Sequence, residues 1–380
     1  MNVSNKMGVY VQVPFCQTKC TYCNFHTGVF SRSLYAPYVE AVCREIRERR
    51  AMHGARVDTV YVGGGTPSLL EPADLARILA AIRERSGAEW EEATLEADPE
   101  TITAEKASAW RSAGVNRISM GVQSFDDTEL RAAGRMHRRE DVYRAIGFLR
   151  GAGFDNVSMD LIAGLAHQTQ QSWKRSVDEL IALRPEHVSV YLLEVDEGSR
   201  LGKEILKGGQ RYNAAEVPSD DEMADFYERA CETLARAGYE HYEISNWALP
   251  ARSSKHNLKY WRREAYLGFG AGAHSFNGAK RWSNLHDPAA YTAAIQSGGA
   301  AIEQEEAVTR AQALDEEFFL GLRELAGIDL ARIEREYGAS MDARVTKLIG
   351  SGLLERDGDR IRLNAERLTI SNEAFVELMG

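Results

Sequence analysis

Three of the five cysteines in this 380-residue chain lie within one short stretch, at Cys16, Cys20 and Cys23. The spacing Cys-x3-Cys-x2-Cys follows a probable strand, so one tight loop carries three thiolates. A [4Fe–4S] cluster has four irons, and three cysteines would leave one iron without a protein ligand and open to a small molecule. The loop therefore predicts an iron–sulfur centre that takes part in chemistry.

A structural zinc site is the alternative for this loop, with His26 completing a Cys3His set. Structural zinc motifs usually combine two ligand pairs some distance apart, and no second Cys or His pair at such spacing follows in the chain. The loop alone favours the cluster and leaves zinc open.

The elements that must position this loop are indicated by short β-branched runs that alternate with amphipathic helical stretches from residue 9 to about residue 240. This alternation is typical of βα units around a parallel sheet. Six units fall short of the eight of a full TIM barrel. The predicted fold class is α/β, a partial (β/α)6 TIM-like barrel. Strands are predicted at residues 9–15, 58–63, 93–98, 117–123, 156–162 and 187–193, and helices at 35–49, 73–84, 104–113, 141–151 and 172–183.

Polar or glycine-rich residues mark the ends of the predicted strands. The first strand leads into the cysteine loop, the second into the Gly-Gly-Gly-Thr-Pro turn of residues 63–67, and later strands carry Glu96, Gln123 and Asp160. Active sites of such barrels gather at the carboxyl ends of the strands. Consecutive glycines also permit positive φ and a close approach of bare backbone to a ligand. These residues are therefore predicted to share one site.

Two segments after the barrel strands are unusual. Residues 197–218 form a connection rich in Gly, Lys and Gln, which predicts a mobile loop at the barrel mouth. Residues 240–285 are dense in aromatic and histidine residues. The alternating glycines at 268–272 lack a preceding β-run, and they are too weak a signal for a nucleotide site.

The C-terminal part of the chain has helical patterns at residues 315–325, 329–337 and 343–350, and Asp357-Gly358 then predicts a β-hairpin. Three helices and a two-stranded wing predict a small winged-helix-like domain. Acidic residues offset its basic ones, so we expect a cover for a protein or ligand and no DNA reader. The predicted division is a barrel over 1–240, a connecting segment over 241–304 and this domain over 305–380.

The amino-acid composition limits the classes of protein to which this chain can belong. The net charge of −10 argues against a large nucleic-acid interface, and 44% hydrophobic with 27% charged residues is ordinary for a globular protein. Residues 1–8 lack the apolar core of a signal peptide, and no apolar run reaches the roughly 18 residues of a transmembrane segment. We therefore expect a cytoplasmic protein with no transmembrane segment and no nucleic-acid partner.

The cysteine loop and the glycine turn together resemble the radical S-adenosylmethionine (SAM) family, whose members bind SAM at the free iron of a [4Fe–4S] cluster. Nearly the whole chain resembles the group of that family that contains oxygen-independent coproporphyrinogen III oxidases and haem chaperones. The resemblance implies that Cys16, Cys20 and Cys23 are the cluster ligands. It implies contacts with SAM, or with the adjoining substrate space, at Tyr10, Tyr22, Gly64, Gly65, Thr66, Glu96, Gln123, Arg135 and Asp160.

Two features favour the haem-chaperone branch of this group. Position 25 is Phe25, where the oxidase branch looks like cysteine, and residues 256–261 (His-Asn-Leu-Lys-Tyr-Trp) look like the His-Asn-x-x-Tyr-Trp signature of the chaperones. In that branch the histidine is proposed to bind haem, so His256 as a haem ligand is a hypothesis here. The resemblance implies a protein that binds haem, a [4Fe–4S] cluster and SAM, and that delivers haem to apo-haemoproteins such as respiratory enzymes at the membrane.

Three alternatives stay open at this point. The first is a coproporphyrinogen oxidase, although the resemblance does not lead us to expect that activity. The second is a methyltransferase or haem-degrading enzyme of the same group. The third is a zinc-stabilised regulator with a winged-helix tail. Whether SAM is cleaved, whether one or two SAM molecules bind and whether the chain forms a homodimer also stay open.

Overall fold

The structure is a computed structural model that describes residues 6–52, 56–86, 89–338 and 341–379, and its central feature within these ranges is a twelve-stranded sheet. Six parallel strands follow one another in chain order through the middle of this sheet. Val11 of the first strand pairs with Val62 of the second, which pairs with Leu95 of the third. These strands are β1 (Lys6–Val13), β2 (Arg56–Gly64), β3 (Glu92–Ala97), β4 (Arg117–Gln123), β5 (Val157–Ala163) and β6 (His187–Leu192).

Helices connect these strands and cover the sheet. In the first helix Val39, Val42 and Ile46 recur at helical spacing and are fully buried, which places one face on the core. Parallel strands can be joined only by such crossover connections. The predicted partial (β/α)6 barrel is confirmed, with the bounds of its strands and helices shifted by a few residues from the predicted ones. The helices are α1 (Tyr35–Glu48), α2 (Pro72–Ser86), α3 (Ala104–Ala113), α4 (Asp127–Ala132), α5 (Arg139–Gly151) and α6 (Gln170–Leu183).

The segment between residues 197 and 218 differs from the predicted loop. It contains α7 (Arg200–Leu206), capped by the Ser199 hydroxyl, and a 3-10 helix over Arg211–Glu216. Leu201 packs with Ile162, Leu193 and Met223 in a small second hydrophobic cluster. Leu201 is thus buried against the barrel, which the polar composition of the segment did not indicate, whereas Leu206 of the same helix is exposed.

Strands also extend the sheet beyond the barrel at both ends. The strands are β7 (Glu240–Glu243), β8 (Asn246–Ala248), β9 (Tyr266–Phe269), β10 (His274–Phe276), β11 (Lys280–Asn284) and β12 (Ile302–Ala307). At one end β8 pairs antiparallel with β6, and β7 pairs antiparallel with β8. At the other end β9 pairs parallel with β1 and is followed by three antiparallel strands. The helices of this part of the chain are α8 (Asp220–Arg236), α9 (Lys255–Trp261) and α10 (Pro288–Gln296).

The C-terminal part has helices and a small antiparallel sheet, and the predicted hairpin at Asp357-Gly358 is confirmed. Gly358 has a φ of 58°, which suits the turn. Arg263 joins this part to the extended sheet through ion pairs with Glu316 and Glu317. The elements are α11 (Arg310–Gly321), β13 (Ile328–Asp329), α12 (Leu330–Tyr337), α13 (Asp342–Gly350), β14 (Leu354–Asp357), β15 (Arg360–Leu363) and α14 (Ser371–Met379).

The helices of the described ranges include none with the length and apolarity to cross a membrane. Residues 1–5, on which part of the signal-peptide prediction rests, lie outside the described residues. The division of the chain at residues 240 and 304 stays a prediction.

Candidate functional site

A cavity of about 490 Å³ opens at the carboxyl ends of the parallel strands. This volume falls in the range of about 300–1,000 Å³ that is typical of ligand pockets. The structure brings most of the predicted site residues together here, although their roles stay predictions. Those that line the cavity are Cys16, Cys20, Tyr22, Cys23, Gly64, Gly65, Thr66, Glu96, Gln123, Arg135 and Asp160.

The cysteine loop folds over one side of the cavity. The Cys16 backbone N–H donates to the Gly28 carbonyl at 2.9 Å, and the Thr21 N–H donates to the Ala133 carbonyl at 3.0 Å, which fixes the two ends of the loop. All three thiols are free of disulfides and half-buried. Burial raises the pKa of the Cys16 thiol. Because metal-binding cysteines must be deprotonated, the thiolate of Cys16 needs a positive charge such as that of iron to be stable here.

The three cysteines fit a cluster better than a single metal ion. Within residues 6–52, 56–86, 89–338 and 341–379, no three His, Cys, Asp or Glu side chains converge closely enough to hold one ion. Zinc requires its ligand atoms at about 2.0–2.3 Å from one centre, whereas a cluster binds each thiolate through a different iron. His26, the fourth ligand of the zinc alternative, lies against His286 with ring centroids 4.3 Å apart. This arrangement disfavours zinc.

The glycine turn is pressed against the cysteine loop. A Cβ at Gly65 would lie 2.6 Å from the Phe15 carbonyl oxygen and 2.9 Å from Cys16 Sγ, and Gly64 has a φ of +117°. The Gly64 N–H donates to Glu96 Oε2 at 2.8 Å. Only glycine permits the close approach at position 65 and the positive φ at position 64. Through these contacts and the hydrogen bond to Glu96, the turn, the cysteine loop and the end of β3 form one packed unit.

Glu96 is the carboxylate at the centre of this unit. Its Oε1 also accepts a hydrogen bond from the Tyr61 hydroxyl at 2.8 Å. Burial raises the pKa of Glu96 to about 7, and the charge of Asp160 acts in the same direction, although the hydrogen bonds from Gly64 and Tyr61 oppose the rise. Near neutral pH Glu96 can therefore either accept from a ligand hydroxyl or hold a proton.

Arg135 lies between the cysteine loop and the end of β3. Its guanidinium is paired with Asp98, donates to the Gly121 carbonyl at 2.8 Å and places Nη1 3.6 Å from Cys20 Sγ. Asp98 also accepts from the Thr66 hydroxyl at 3.0 Å. The sequence pattern placed Asp98 with Glu96 at the end of the third strand, although without a role, and Asp98 lines the cavity.

Other polar residues that the sequence prediction missed line the cavity floor. His187 Nδ1 lies 2.8 Å from the Ser158 hydroxyl, and its Nε2 lies 2.8 Å from the Tyr242 hydroxyl. Alternation along β4 and β6 was the available signal, because every second residue of a strand faces the same side. The missed residues at alternating positions are Arg117, Ser119 and Gly121 on β4, and His187, Ser189 and Tyr191 on β6.

Two predicted site residues do not line the cavity. The Tyr10 hydroxyl is turned away and donates to Gln12 Oε1 at 2.5 Å. His256 is fully buried, with Nδ1 2.9 Å from the Thr59 hydroxyl and Nε2 2.9 Å from the Tyr260 hydroxyl. Burial lowers the pKa of His256 to about 3, so its ring is neutral. Both ring nitrogens are engaged in this conformation, and iron ligation by His256 stays a hypothesis.

Two protein families match parts of the chain. Residues 10–180 match the radical SAM superfamily, and residues 308–366 match the HemN C-terminal domain. The first match spans the parallel strands from β1 to β5 and most of the cavity lining, and the second spans most of the C-terminal helices and the hairpin.

Curated relatives cover nearly the whole chain. A protein named heme chaperone HemW from Lactococcus lactis is 34% identical over 97% of this chain and 96% of its own length. A protein of the same name from Bacillus subtilis is 33% identical over 98% of both chains. Among solved structures, coproporphyrinogen III oxidase (HemN) from Escherichia coli has a TM-score of 0.85 at 24% identity and covers 99% of this chain and 91% of its own. That structural likeness supports the fold.

Proposed function

This chain belongs to the radical SAM superfamily, as a HemW-type member, and from that premise we propose that it is a haem chaperone. It binds haem together with a [4Fe–4S] cluster and SAM, and it delivers haem to apo-haemoproteins, including respiratory enzymes at the membrane. The observation that carries the proposal is the full-length similarity to proteins that are named heme chaperones. Cytoplasmic location is part of the same proposal.

The cavity supports the binding of the cluster and of SAM. When bound, the cluster and SAM would together supply reductive cleavage of the SAM sulfonium, with the electron coming from the reduced cluster. Cys16, Cys20 and Cys23 provide the thiolates, and Arg135 places a positive charge beside Cys20.

The polar groups of the cavity suit the remaining parts of SAM. The turn at Gly64 and Gly65 offers bare backbone beside the cysteine loop, where an amino acid moiety can approach closely. Glu96 and Asp160 can accept hydrogen bonds from ribose hydroxyls when they are ionised, and Gln123 can donate or accept. Thr66 and Tyr22 line the same space, and the Tyr10 ring stacks on Tyr61, which also lines it.

The test is one anaerobic assay of cluster-reconstituted protein with SAM, a reductant and coproporphyrinogen III. Porphyrins and 5′-deoxyadenosine are separated in the same chromatogram. We expect no accumulation of protoporphyrinogen, stoichiometric binding of added haem by the same preparation, and transfer of that haem to an apo-haemoprotein. Protoporphyrinogen formed over many turnovers would identify a coproporphyrinogen oxidase and overturn the proposal.

A control identifies the cluster. In a variant with Cys16, Cys20 and Cys23 replaced by alanine, the brown absorption that dithionite bleaches is expected to disappear together with bound iron and sulfide. If this absorption persists, the cluster is held elsewhere. Formation of S-adenosylhomocysteine with a methylated porphyrin would instead indicate a methyltransferase.

A further inference from the structure

The cavity runs deeper into the barrel than the proposed cluster and SAM sites require. Gln123, the last residue of β4, lines its upper end, and Arg117, the first residue of the same strand, lines its lower end. Six steps along a strand span about 20 Å. His187, the first residue of β6, also lines the lower end. The cavity therefore extends through the barrel to the amino ends of its strands.

Helix α9 closes this lower end. Glu92, the first residue of β3, accepts hydrogen bonds from the backbone N–H groups of Lys255 and His256 at 3.0 and 2.9 Å. These bonds hold the start of α9 against the amino end of the strand. Asn257, the next residue, lines the cavity, and its side-chain amide has no hydrogen-bond partner among the described residues. The residue of this segment that a ligand in the cavity can reach is therefore Asn257.

Arg117 is a buried cation without an ion pair. Its residue surface is 2% exposed, and Nη1 donates a long hydrogen bond to the Thr94 hydroxyl at 3.4 Å. Its Nε has no hydrogen-bond partner, and in the part of the chain that the structure describes no carboxylate lies within 4.0 Å of the guanidinium. Burying a charge is costly unless the charge is paired. An anion bound in the cavity would supply the missing partner.

The groups around Arg117 leave its charge available to a ligand. Burial lowers the pKa of His187 well below its ordinary value, and the charge of Arg117 acts in the same direction, so this imidazole is neutral. Asp160 pairs with Ser189 in the β5–β6 register, and its Oδ1 accepts from the Ser158 hydroxyl at 3.4 Å. Asp160 has no ion pair with Arg117. The lower end thus offers a guanidinium beside uncharged donors.

Apolar side chains line the walls above this end. Tyr191 lies two residues beyond Ser189 on the same face of β6, and its exposed surface borders the cavity. Ligand pockets typically combine apolar walls with a few placed polar groups that orient the ligand. The lining therefore suits a molecule with a large apolar ring and a carboxylate at one edge. The apolar and aromatic wall residues are Tyr22, Phe25, Met136, Ile162, Tyr191 and Leu193.

We propose that the lower end, which we call the floor site (Arg117, Ser119, His187, Ser189 and Asn257), binds a propionate of a tetrapyrrole, with Arg117 as its ionic partner. The inference rests on the proposed haem-binding function and names the group of the ligand that the cavity recognises. A guanidinium matches a carboxylate with two parallel hydrogen bonds, and the Asn257 amide can add a third. This recognition depends on the propionate and is independent of the iron.

The test compares the binding of haemin with that of haemin dimethyl ester, whose propionates carry no charge, by absorption titration. The wild type is expected to bind haemin at least about tenfold more tightly than the ester. Arg117→Gln is expected to bind the two equally, and Arg117→Lys, which keeps the charge without the planar fork, to show an intermediate preference. Arg263→Gln is the matched control, because Arg263 is also buried but pairs with Glu316 and Glu317 outside the cavity. It is expected to keep the wild-type preference.

The outcomes separate the two proposals. If the wild type binds neither compound, the haem-chaperone proposal fails and this inference fails with it. If the wild type binds haemin without preferring it to the ester, or if Arg117→Gln keeps the preference, haem binding stands and the floor site is wrong. An Arg117→Gln protein that keeps the preference but loses affinity for SAM in equilibrium dialysis would show that Arg117 holds the carboxylate of SAM. The preference is a ratio measured within one protein, so a general loss of stability does not remove it.

Discussion

Arg135 links Cys20 to the end of β3, because its Nη1 lies 3.6 Å from Cys20 Sγ while its Nη2 is paired with Asp98. The Arg135 side chain is only 9% exposed. The same guanidinium donates to the Gly121 carbonyl on β4. One buried cation therefore fixes the position of the cysteine loop relative to two strands of the barrel.

Replacing Arg135 by methionine is expected to lower both stability and cluster content. Asp98 would lose its partner inside the cavity, and breaking such a pair costs about 3 kcal/mol in the free energy of unfolding. Cys20 would also lose the nearby positive charge. Urea unfolding and the iron and sulfide content after reconstitution measure the two effects. The exposed Arg131→Met is the control, and an Arg135→Met protein with the same cluster content as this control would contradict the proposed role.

Gly65→Ala is expected to displace the cysteine loop. The added Cβ would meet the Phe15 carbonyl oxygen and Cys16 Sγ, and backbone atoms cannot turn aside as a flexible side chain can. We expect a loss of about 2 kcal/mol in stability and reduced iron content. Gly147→Ala on α5 is the matched control, because its Cβ would meet no atom within 4 Å, and it is expected to be neutral or stabilising. Equal iron content in both variants would show that the contact is easily relieved.

Glu96→Gln is expected to be more stable than the wild type only at high pH. The pKa of Glu96 is raised from 4.5 to about 7, so the unfolded chain loses this proton first as the pH rises. The wild type therefore loses stability between about pH 4.5 and pH 7 and then stays at the lower level, a difference of about 3 kcal/mol in the free energy of unfolding. The Glu96→Gln variant has no ionisable group at this position, so its stability does not fall in this pH range for that reason.

Urea unfolding of wild type and Glu96→Gln from about pH 4 to about pH 8 measures this difference. The two proteins are expected to converge at the acidic end. The exposed Glu71→Gln should follow the wild type throughout. A constant offset between Glu96→Gln and the wild type at all pH values would show that the pKa of Glu96 is the same in the folded and unfolded protein, which would contradict the predicted shift.

Lys259→Met is expected to be strongly destabilising, whereas Lys255→Met on the same helix is expected to have little effect on stability. Lys259 is buried, with Nζ 3.0 Å from carboxylate oxygens of both Asp58 and Glu264. Removing it leaves a buried aspartate unpaired, at a cost of about 3 kcal/mol. Lys255 is half exposed, and its ion pair with Glu91 contributes less than about 1 kcal/mol.

Chemical denaturation of Lys259→Met and Lys255→Met provides this comparison. Similar midpoints for the two variants would show that Asp58 gains water or another partner when Lys259 is absent. In that case the ion pair of Lys259 with Asp58 would not be what anchors α9 to β2.

Much of the site was predictable because its parts are local in sequence. The cysteine spacing and the glycine turn each lie in a few residues, and both line the same cavity because carboxyl ends of parallel strands meet at one edge. Arg117 and His187 were missed, although they alternate with other cavity residues on β4 and β6. In the sequence, a polar residue at the start of a strand that faces a cavity cannot be told apart from one that is buried in the core.

By itself, the sequence determined the six βα units, the cysteine loop and the hairpin at Asp357-Gly358, since periodicity and turn chemistry act over a few residues. Only the tertiary structure decided that residues 240–307 add strands at both ends of the sheet, that His256 is buried between Thr59 and Tyr260, and that His26 meets His286. These contacts join residues far apart in the chain. They depend on the packing free energy of the whole fold, which no local pattern encodes.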